Sequence, residues 1–249
     1  MHDNLNNLKL FIRDFNKVRD LGFQPARRSN STGIGKTLED LIGVTENNLS
    51  EADLHGFEIK SQRNLSGSYI TLFTKAPTMP KNANTYLRQT YGSYDQEYPD
   101  VKVLHTSIFH SRFNTHVSGA KFSLEVNRDE EKIYIVIENL YGEIDKNVYY
   151  SFENLRRAIG KIKNLAFVSA NTQMIDGVEN FHFTRAVIFY DFISFEHFLN
   201  LIESGLIMYD VRVGAYKTGV KRGKTHDHGS GFRIKKENMC QLYRAYEEI

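Results

Sequence analysis

Tryptophan is absent from the chain and cysteine occurs once, at Cys240. A single thiol closes no disulfide within the chain, so the fold must rest on its core, and a reducing cytoplasmic home is expected. No uncharged apolar run approaches the roughly 20 residues that span a bilayer, which argues against a helical membrane class. The first twenty residues carry Lys9, Arg13, Asp14, Lys17, Arg19 and Asp20, so they lack the unbroken apolar stretch of an export signal. Internal repeats, low-complexity tracts and long linkers are missing as well. What is present, 41% hydrophobic and 25% charged residues over 249 positions, suits a globular chain of one large domain or two lobes.

Charge is sparse in net and uneven in place. The net charge is +2, yet Arg212 to Lys236 holds eight Lys or Arg against one acid, Asp227; that segment is +7 and the remainder −5. A basic stretch beside an acidic remainder suits an anionic polymer, because each phosphate neutralised releases counterions. A solvated basic loop is the plain alternative.

Apolar spacing supplies the elements. Leu5, Leu8, Phe11 or Ile12, Phe15 and Val18 follow Asp3 and Asn4 at three-to-four spacing and predict a capped amphipathic helix over 5–18. Residues 27–35 are rich in turn formers; 36–42 predict a short helix carrying Glu39 and ending at Gly43. The β-prone runs 57–60 and 69–74, joined through Asn64, Ser66 and Gly67, predict a hairpin. Strands are expected at 101–109, 120–126, 132–138, 165–175 and 181–190, with helices at 82–90, 152–163, 195–204 and 237–248. Interleaving of the two kinds makes the class α/β or α+β.

Hydrolysis of a phosphodiester at neutral pH needs a divalent cation to activate water and offset charge at phosphorus, and Mg²⁺ takes hard oxygen ligands. Asp53, Glu58 and the backbone carbonyl of Ile59 form one candidate set. Alternate side chains of a strand share a face, so Glu58 and Lys60 would project together while Phe57 and Ile59 turn to the core. Glu39 is a candidate for a further ligand. The spacing of acid, four residues, acid, one residue and lysine also occurs at Asp95, Asp100 and Lys102 and at Glu125, Glu130 and Lys132. Spacing alone leaves all three open, although the last follows a polar turn at 127–129 and Asp100 has no companion acid on a nearby helix.

The stretches Gly35-Lys36-Thr37-Leu38-Glu39-Asp40-Leu41-Ile42-Gly43 and Asp53-Leu54-His55-Gly56-Phe57-Glu58-Ile59-Lys60-Ser61 resemble the active-site region of MutH-like nucleases. Within these the chain is most similar to the MvaI/BcnI family of monomeric restriction endonucleases, from the Glu39 helix to the segment Gly231-Phe232-Arg233-Ile234-Lys235-Lys236-Glu237-Asn238. The resemblance implies a PD-(D/E)XK fold, a mixed central sheet flanked by helices in two lobes around a DNA cleft. It implies Asp53 and Glu58 as metal ligands, Lys60 as the catalytic lysine and Glu39 as a supporting acid. Ala52 stands where the signature's name has proline, a relaxation that MutH-like members share. The catalytic lobe is expected mainly in 1–110 and the recognition lobe mainly in 111–249.

Asp210, Arg212, His226, His228 and Arg233 interleave with the basic segment. Arg donates bidentately to guanine, a carboxylate accepts from cytosine N4, and His can donate to guanine, so the set suits a G·C-rich target in the major groove. The resemblance implies the same reading role and sites of the CC(A/T)GG type. Lys36, Arg63 and Lys75 are candidates for backbone phosphates. His226-Asp227-His228 is a poor zinc site, since no cysteine or third histidine accompanies it, and the glycines at 219, 223, 229 and 231 lack a nucleotide-binding signature. The expectation is therefore a Mg²⁺-dependent type II enzyme that cuts double-stranded DNA to 5′-phosphates as a monomer, paired in function with a cognate DNA methyltransferase. Two rivals remain: a MutH-like strand-nicking repair enzyme, and a DNA-binding module without catalysis.

Overall fold

The computed structural model describes residues 2–30, 32–44, 53–64 and 69–249. Ala52, and Ser66 and Gly67 of the expected hairpin turn, lie outside the described residues. In chain order the elements begin α1 (His2–Asp20), β1 (Gln24–Pro25), α2 (Gly33–Ile42), β2 (Glu58–Arg63), β3 (Tyr69–Thr74), α3 (Ala83–Tyr91) and β4 (Ser93–Tyr94). There follow β5 (Lys102–Ile108), β6 (Asn114–Thr115), β7 (Lys121–Asn127), β8 (Lys132–Glu138), β9 (Ile144–Ser151), α4 (Phe152–Ile159), β10 (Leu165–Ile175) and β11 (Val178–Phe192). The chain ends with α5 (Phe195–Glu203), β12 (Ile207–Ala215), β13 (Thr225–Asp227), β14 (Gly231–Lys235), a 3-10 segment Lys236–Leu242 and β15 (Tyr243–Glu248). No helix among the described residues is long and apolar enough to cross a membrane.

These elements form two compact units from interleaved segments: Met1–Ser68, Gly160–Ile193 and Cys240–Ile249 in one, Tyr69–Ile159 and Ser194–Met239 in the other. A single division near residue 110 falls inside the second unit. In the first, strands run β1-β11-β10-β2, with β15 pairing β11, and β10 and β2 are parallel, Leu165 opposite Glu58 and Phe167 opposite Lys60. The apolar stripe Leu8, Phe11, Phe15 and Val18 of α1 joins Ile34 and Leu38 of α2 over one sheet face made by Ile59, Ala166, Val168, Phe181, Phe183 and Ile188. Phe11 and Phe15 are fully enclosed, each contributing about 2–3 kcal/mol by leaving water.

The second unit has two sheets, β3-β14-β12-β5-β4 with β13 on β12, and β6-β7-β8-β9. Along β12 only Arg212 is exposed. Ile207, Tyr209, Val211 and Val213 are buried in a core with Phe232 and Ile234 of β14, so Met208, Asp210, Arg212 and Gly214 share the opposite face.

Three expectations change. Strands 57–60 and 69–74 are no hairpin: β2 pairs β10 in one unit, and β3 pairs β14 in the other. The helix expected over 237–248 is a 3-10 turn followed by β15, which pairs Phe192 with Tyr243 and Tyr190 with Ala245. Met239, Leu242 and Tyr243, which set the helical spacing, are all buried, whereas Tyr246 is exposed. The helix expected over 5–18 is longer and takes in Asp3 and Asn4, expected as its cap.

Candidate active site

Between Leu54 and Phe57 the backbone folds back in a two-residue turn, with Leu54 N–H donating to Phe57 O at 3.1 Å and Phe57 N–H to Leu54 O at 2.8 Å. His55 and Gly56 both have positive φ, 48° and 79°, the pattern of a type I′ turn, which glycine enters without penalty and histidine does not. The His55 ring is held at 2.9 Å from Asp14 Oδ2 on α1. Arg13 first, and His55 next, hold the Asp14 carboxyl well below the usual carboxylate range. This turn sets Asp53 beside β2, where its Oδ2 accepts from the Ile59 N–H at 2.9 Å.

Glu58 and Lys60 project together from β2, Lys60 Nζ donating to Glu58 Oε1 at 2.5 Å. Glu58 is 9% exposed, so its polar partner is the neighbouring ammonium more than water. Glu58 N–H bonds Asn164 O at 3.0 Å, toward β10. Successive peptide groups of a strand point to opposite sides, which turns the Ile59 carbonyl to the side from which Asp53 approaches. Two carboxylates and a carbonyl, with the His55 imidazole turned away to Asp14, are a hard oxygen donor set and fit a divalent cation such as Mg²⁺.

Glu39 lies on α2, which packs on β2, but among the described residues no group of three His, Cys, Asp or Glu side chains is gathered to hold a metal; Glu39 does not complete a three-carboxylate cluster. Its backbone oxygen accepts from Val44 N at 2.9 Å in the helix cap. Lys36 is paired with Asp40 at 2.9 Å. Arg63 is bound through two nitrogens to Glu179, at 2.7 and 2.6 Å, and lies over the Phe181 ring. A phosphate would have to displace Glu179 to reach it.

Of the other two spacings, the first separates into unrelated contacts, while the second keeps its acid–lysine pair but has its first acid taken by another lysine. Asp95 pairs with Lys217 at 2.9 Å and Asp100 with Arg222 at 2.7 Å, while Lys102 donates to Gln89 O at 2.9 Å. Glu125 pairs with Lys146 at 2.6 Å and Glu130 with Lys132 at 2.8 Å.

In the second unit all five expected reading residues lie on one sheet or its rim. Asp210 is 4% exposed; its Oδ2 lies 2.5 Å from Arg212 Nε and 3.0 Å from Arg233 Nε, and Ser107 Oγ donates to its Oδ1 at 3.0 Å. The Arg233 Nε approach is electrostatic, not an aligned hydrogen bond, and Arg233 Nη2 donates to Gly229 O at 3.1 Å. Burial pushes the Arg233 guanidinium down, with Asp210 opposing. His226 stacks on Tyr216 at 4.5 Å and lies 4.3 Å from the His228 ring. A Cβ at Gly214 would come within 2.9 Å of His228 Nε2, so glycine there lets the imidazole lie against the strand. Burial, then His226 and His105, lowers the His228 pKa.

Sequence reasoning missed His105, Ser107, Asn114 and His116, which line a concavity of about 380 Å³ with Asp210 and Arg212. His105 lies opposite Arg212 and Ser107 opposite Asp210 across β5 and β12. Burial, then Arg212, lowers the His105 pKa. The alternation of β5, with Leu104, Thr106 and Ile108 buried, is visible in the sequence; the partner strand that gives His105 its setting is not.

Among curated protein sequences none matches the chain. Among solved structures it is similar to one described as the restriction endonuclease MvaI–cognate DNA substrate complex, with TM-score 0.86 and 33% identity over 100% of this chain and 98% of that one. It is also similar to restriction endonuclease MvaI in the absence of DNA, with TM-score 0.61 and 33% identity over 97% of each chain. The profile of the MvaI/BcnI restriction endonuclease family matches residues 12–243, and the chain belongs to that family.

Proposed function

We propose that this chain is a Mg²⁺-dependent type II restriction endonuclease that hydrolyses both strands of double-stranded DNA at CC(A/T)GG-type sites, leaving 5′-phosphates. It acts as a monomer, and a cognate DNA methyltransferase protects the host's own sites. The observation that carries the reading is the hairpin that sets Asp53 against the Ile59 amide while Glu58 and Lys60 meet on the next two outward positions of β2. The donor set of Asp53, Glu58 and the Ile59 carbonyl would hold Mg²⁺, which supplies charge neutralisation at the phosphate and a more acidic water.

The chain's own groups supply position and charge. Lys60 Nζ, anchored on Glu58 Oε1, keeps two further N–H donors to orient the attacking water or bind a non-bridging phosphate oxygen as negative charge grows there. The Ile59 amide fixes Asp53 Oδ2, so the carboxylate is set before substrate arrives. The water oxygen bonds phosphorus, the bond to the 3′ oxygen breaks, and the phosphate remains on the 5′ side. Recognition rests on Asp210, Arg212, His226, His228 and Arg233, with the cation–carboxylate–cation row of Arg212, Asp210 and Arg233 directed to guanine and cytosine edges.

Digestion of a fully sequenced plasmid by wild type and Lys60→Ala, each with Mg²⁺ and with EDTA, tests the reading. Discrete ends at CC(A/T)GG, present only for wild type with Mg²⁺, are expected. Nicked circles without linear product would favour the strand-nicking alternative, and site binding with no cutting would leave a binding module.

A further inference from the structure

Asp227 is the only acid between Arg212 and Lys236, and its place is unlike that of the bases around it. On β13 it pairs with Val213 while His226 pairs with Gly214, so its side chain is directed away from the face that carries the histidines. Its Oδ1 accepts from Gly229 N at 3.0 Å, Ser230 N at 2.7 Å and Ser230 Oγ at 2.8 Å. Its Oδ2 accepts from Asn84 Nδ2 of α3 at 2.8 Å. Four donors on one carboxylate tie the turn after His228 to a helix of the same unit.

The donors of the turn, Gly229 and Ser230, each lead to a reading residue. Ser230, fully buried, accepts through Oγ from the Arg212 N–H at 2.8 Å, and Arg212 O accepts from His228 N at 2.8 Å. Gly229, held at φ 95°, offers its carbonyl to Arg233. Beside Asn84, Thr85 Oγ1 bonds Thr225 Oγ1 at 2.9 Å. The buried Arg88 bonds Gly223 O at 3.1 Å and Thr225 Oγ1 at 3.2 Å. The helix thus braces both ends of the strand that presents His226.

We propose that Asp227, braced by Asn84, is a positioning residue for sequence discrimination: it sets the turn that aims His226, His228, Arg212 and Arg233, and it touches neither base nor phosphate itself. The inference rests on the recognition role given above to those four residues. Base selectivity needs donors placed to a fraction of an ångström, and a turn without its carboxylate leaves the Gly229 and Ser230 amides to find other partners.

The test compares cleavage at the site with cleavage at duplexes carrying one substituted base pair, for wild type, Asp227→Ala, Asn84→Ala and the exchanged pair Asp227→Asn with Asn84→Asp. In the exchanged pair residue 227 still accepts from the amides while its NH₂ donates to the new carboxylate at 84. The ratio of cognate to substituted-site rate is expected to fall about tenfold in Asp227→Ala, the order of one lost base contact. It should fall less in Asn84→Ala, and the exchanged pair should recover most of it. Thermal melting separates misfolding from misplacement, since Asn84→Ala removes one bond of the four. A ratio unchanged in Asp227→Ala and Asn84→Ala, with wild type discriminating normally, overturns the proposal, as does an exchanged pair no better than Asp227→Ala. A wild type that shows no discrimination at all overturns the recognition reading beneath it.

Discussion

Asp210 has 6% of its side chain exposed, and two guanidinium groups and a serine hydroxyl stand round it. Enclosing a carboxylate costs several kcal/mol unless its partners remain, so removing one cation should be felt in folding as well as in binding. Arg233→Met, which keeps volume but not charge, is expected to lower stability by about 2 kcal/mol and to weaken site binding at least about tenfold. Adding Asp210→Asn should restore part of the stability and none of the binding, in denaturant melts and titrations of site DNA in EDTA; an unchanged isotherm in Arg233→Met would remove that residue from the reading set. His116 supplies a pH dependence. It is 8% exposed, its Nδ1 accepts from Ser118 N at 3.2 Å, and burial, then His105, lowers its pKa below 6.5. As pH falls through 6.5 the unfolded chain takes up this proton while the folded chain does not, so stability drops from there toward the depressed folded pKa. Melting curves between pH 7.5 and 5 should show a shallower acid loss in His116→Gln than in wild type, by at most about 1.4 kcal/mol per pH unit. Parallel curves would mean that the proton enters elsewhere, at His105 or His228 among the lowered groups.

Elements owe their order to contacts of very different reach, and that decides what was legible. Strand 132–138 and the helices near 83 and 195 carry their periodicity within seven to ten residues, and they stand where the spacing predicts. The juxtaposition of Glu58 with Lys60 was legible for the same reason, since alternation along one strand sets it. The resemblance, and not the spacing, separated this acid–lysine pattern from its two copies; the structure adds the turn at His55 and Gly56 that sets Asp53 beside β2. The 237–248 segment misled because Met239, Leu242, Tyr243 and Tyr246 satisfy a helical period, while pairing with β11 across some fifty residues of chain prevails. The register that places Gly231 opposite Asp210 on one side and the distant Thr74 on the other is equally hidden from local pattern, and it explains a glycine for which the sequence offered no nucleotide-binding role. A Cβ there would come within 2.3 Å of Phe73 O, backbone that has no rotamer to yield. Gly231→Ala is therefore expected to part β14 from β3, to lower stability by about 2–3 kcal/mol and to shift Arg233 two residues on. A variant that melts as wild type and retains site affinity would show that the strands separate without cost.

Across the whole sequence the +7 of residues 212–236 overstates the field available to DNA. Within the second unit Lys217 is tied to Asp95, Arg222 to Asp100, and Arg212 and Arg233 to Asp210. Composition shows where bases are concentrated along the chain; the fold decides which acids answer them, and two of the three, Asp95 and Asp100, come from a segment distant in the chain. Each pair is a competitor for phosphate, and the exposed ones are weak enough to exchange. Arg222 and Asp100 are about half exposed, 50% and 57% by side chain, so their union adds little to stability. Asp100→Asn should thus free Arg222 at almost no cost in folding. If Arg222 lies within reach of the duplex, the plot of log affinity against log salt for a duplex without the site steepens by up to about 0.9, the value of one added phosphate contact. Binding at low salt then tightens while discrimination narrows, because the added contact carries no sequence information. Fluorescence anisotropy in EDTA over a range of salt reads both quantities at once. An unchanged slope would place Arg222 outside the duplex's footprint and leave the basic segment's reading to Arg212, Arg233 and the two histidines.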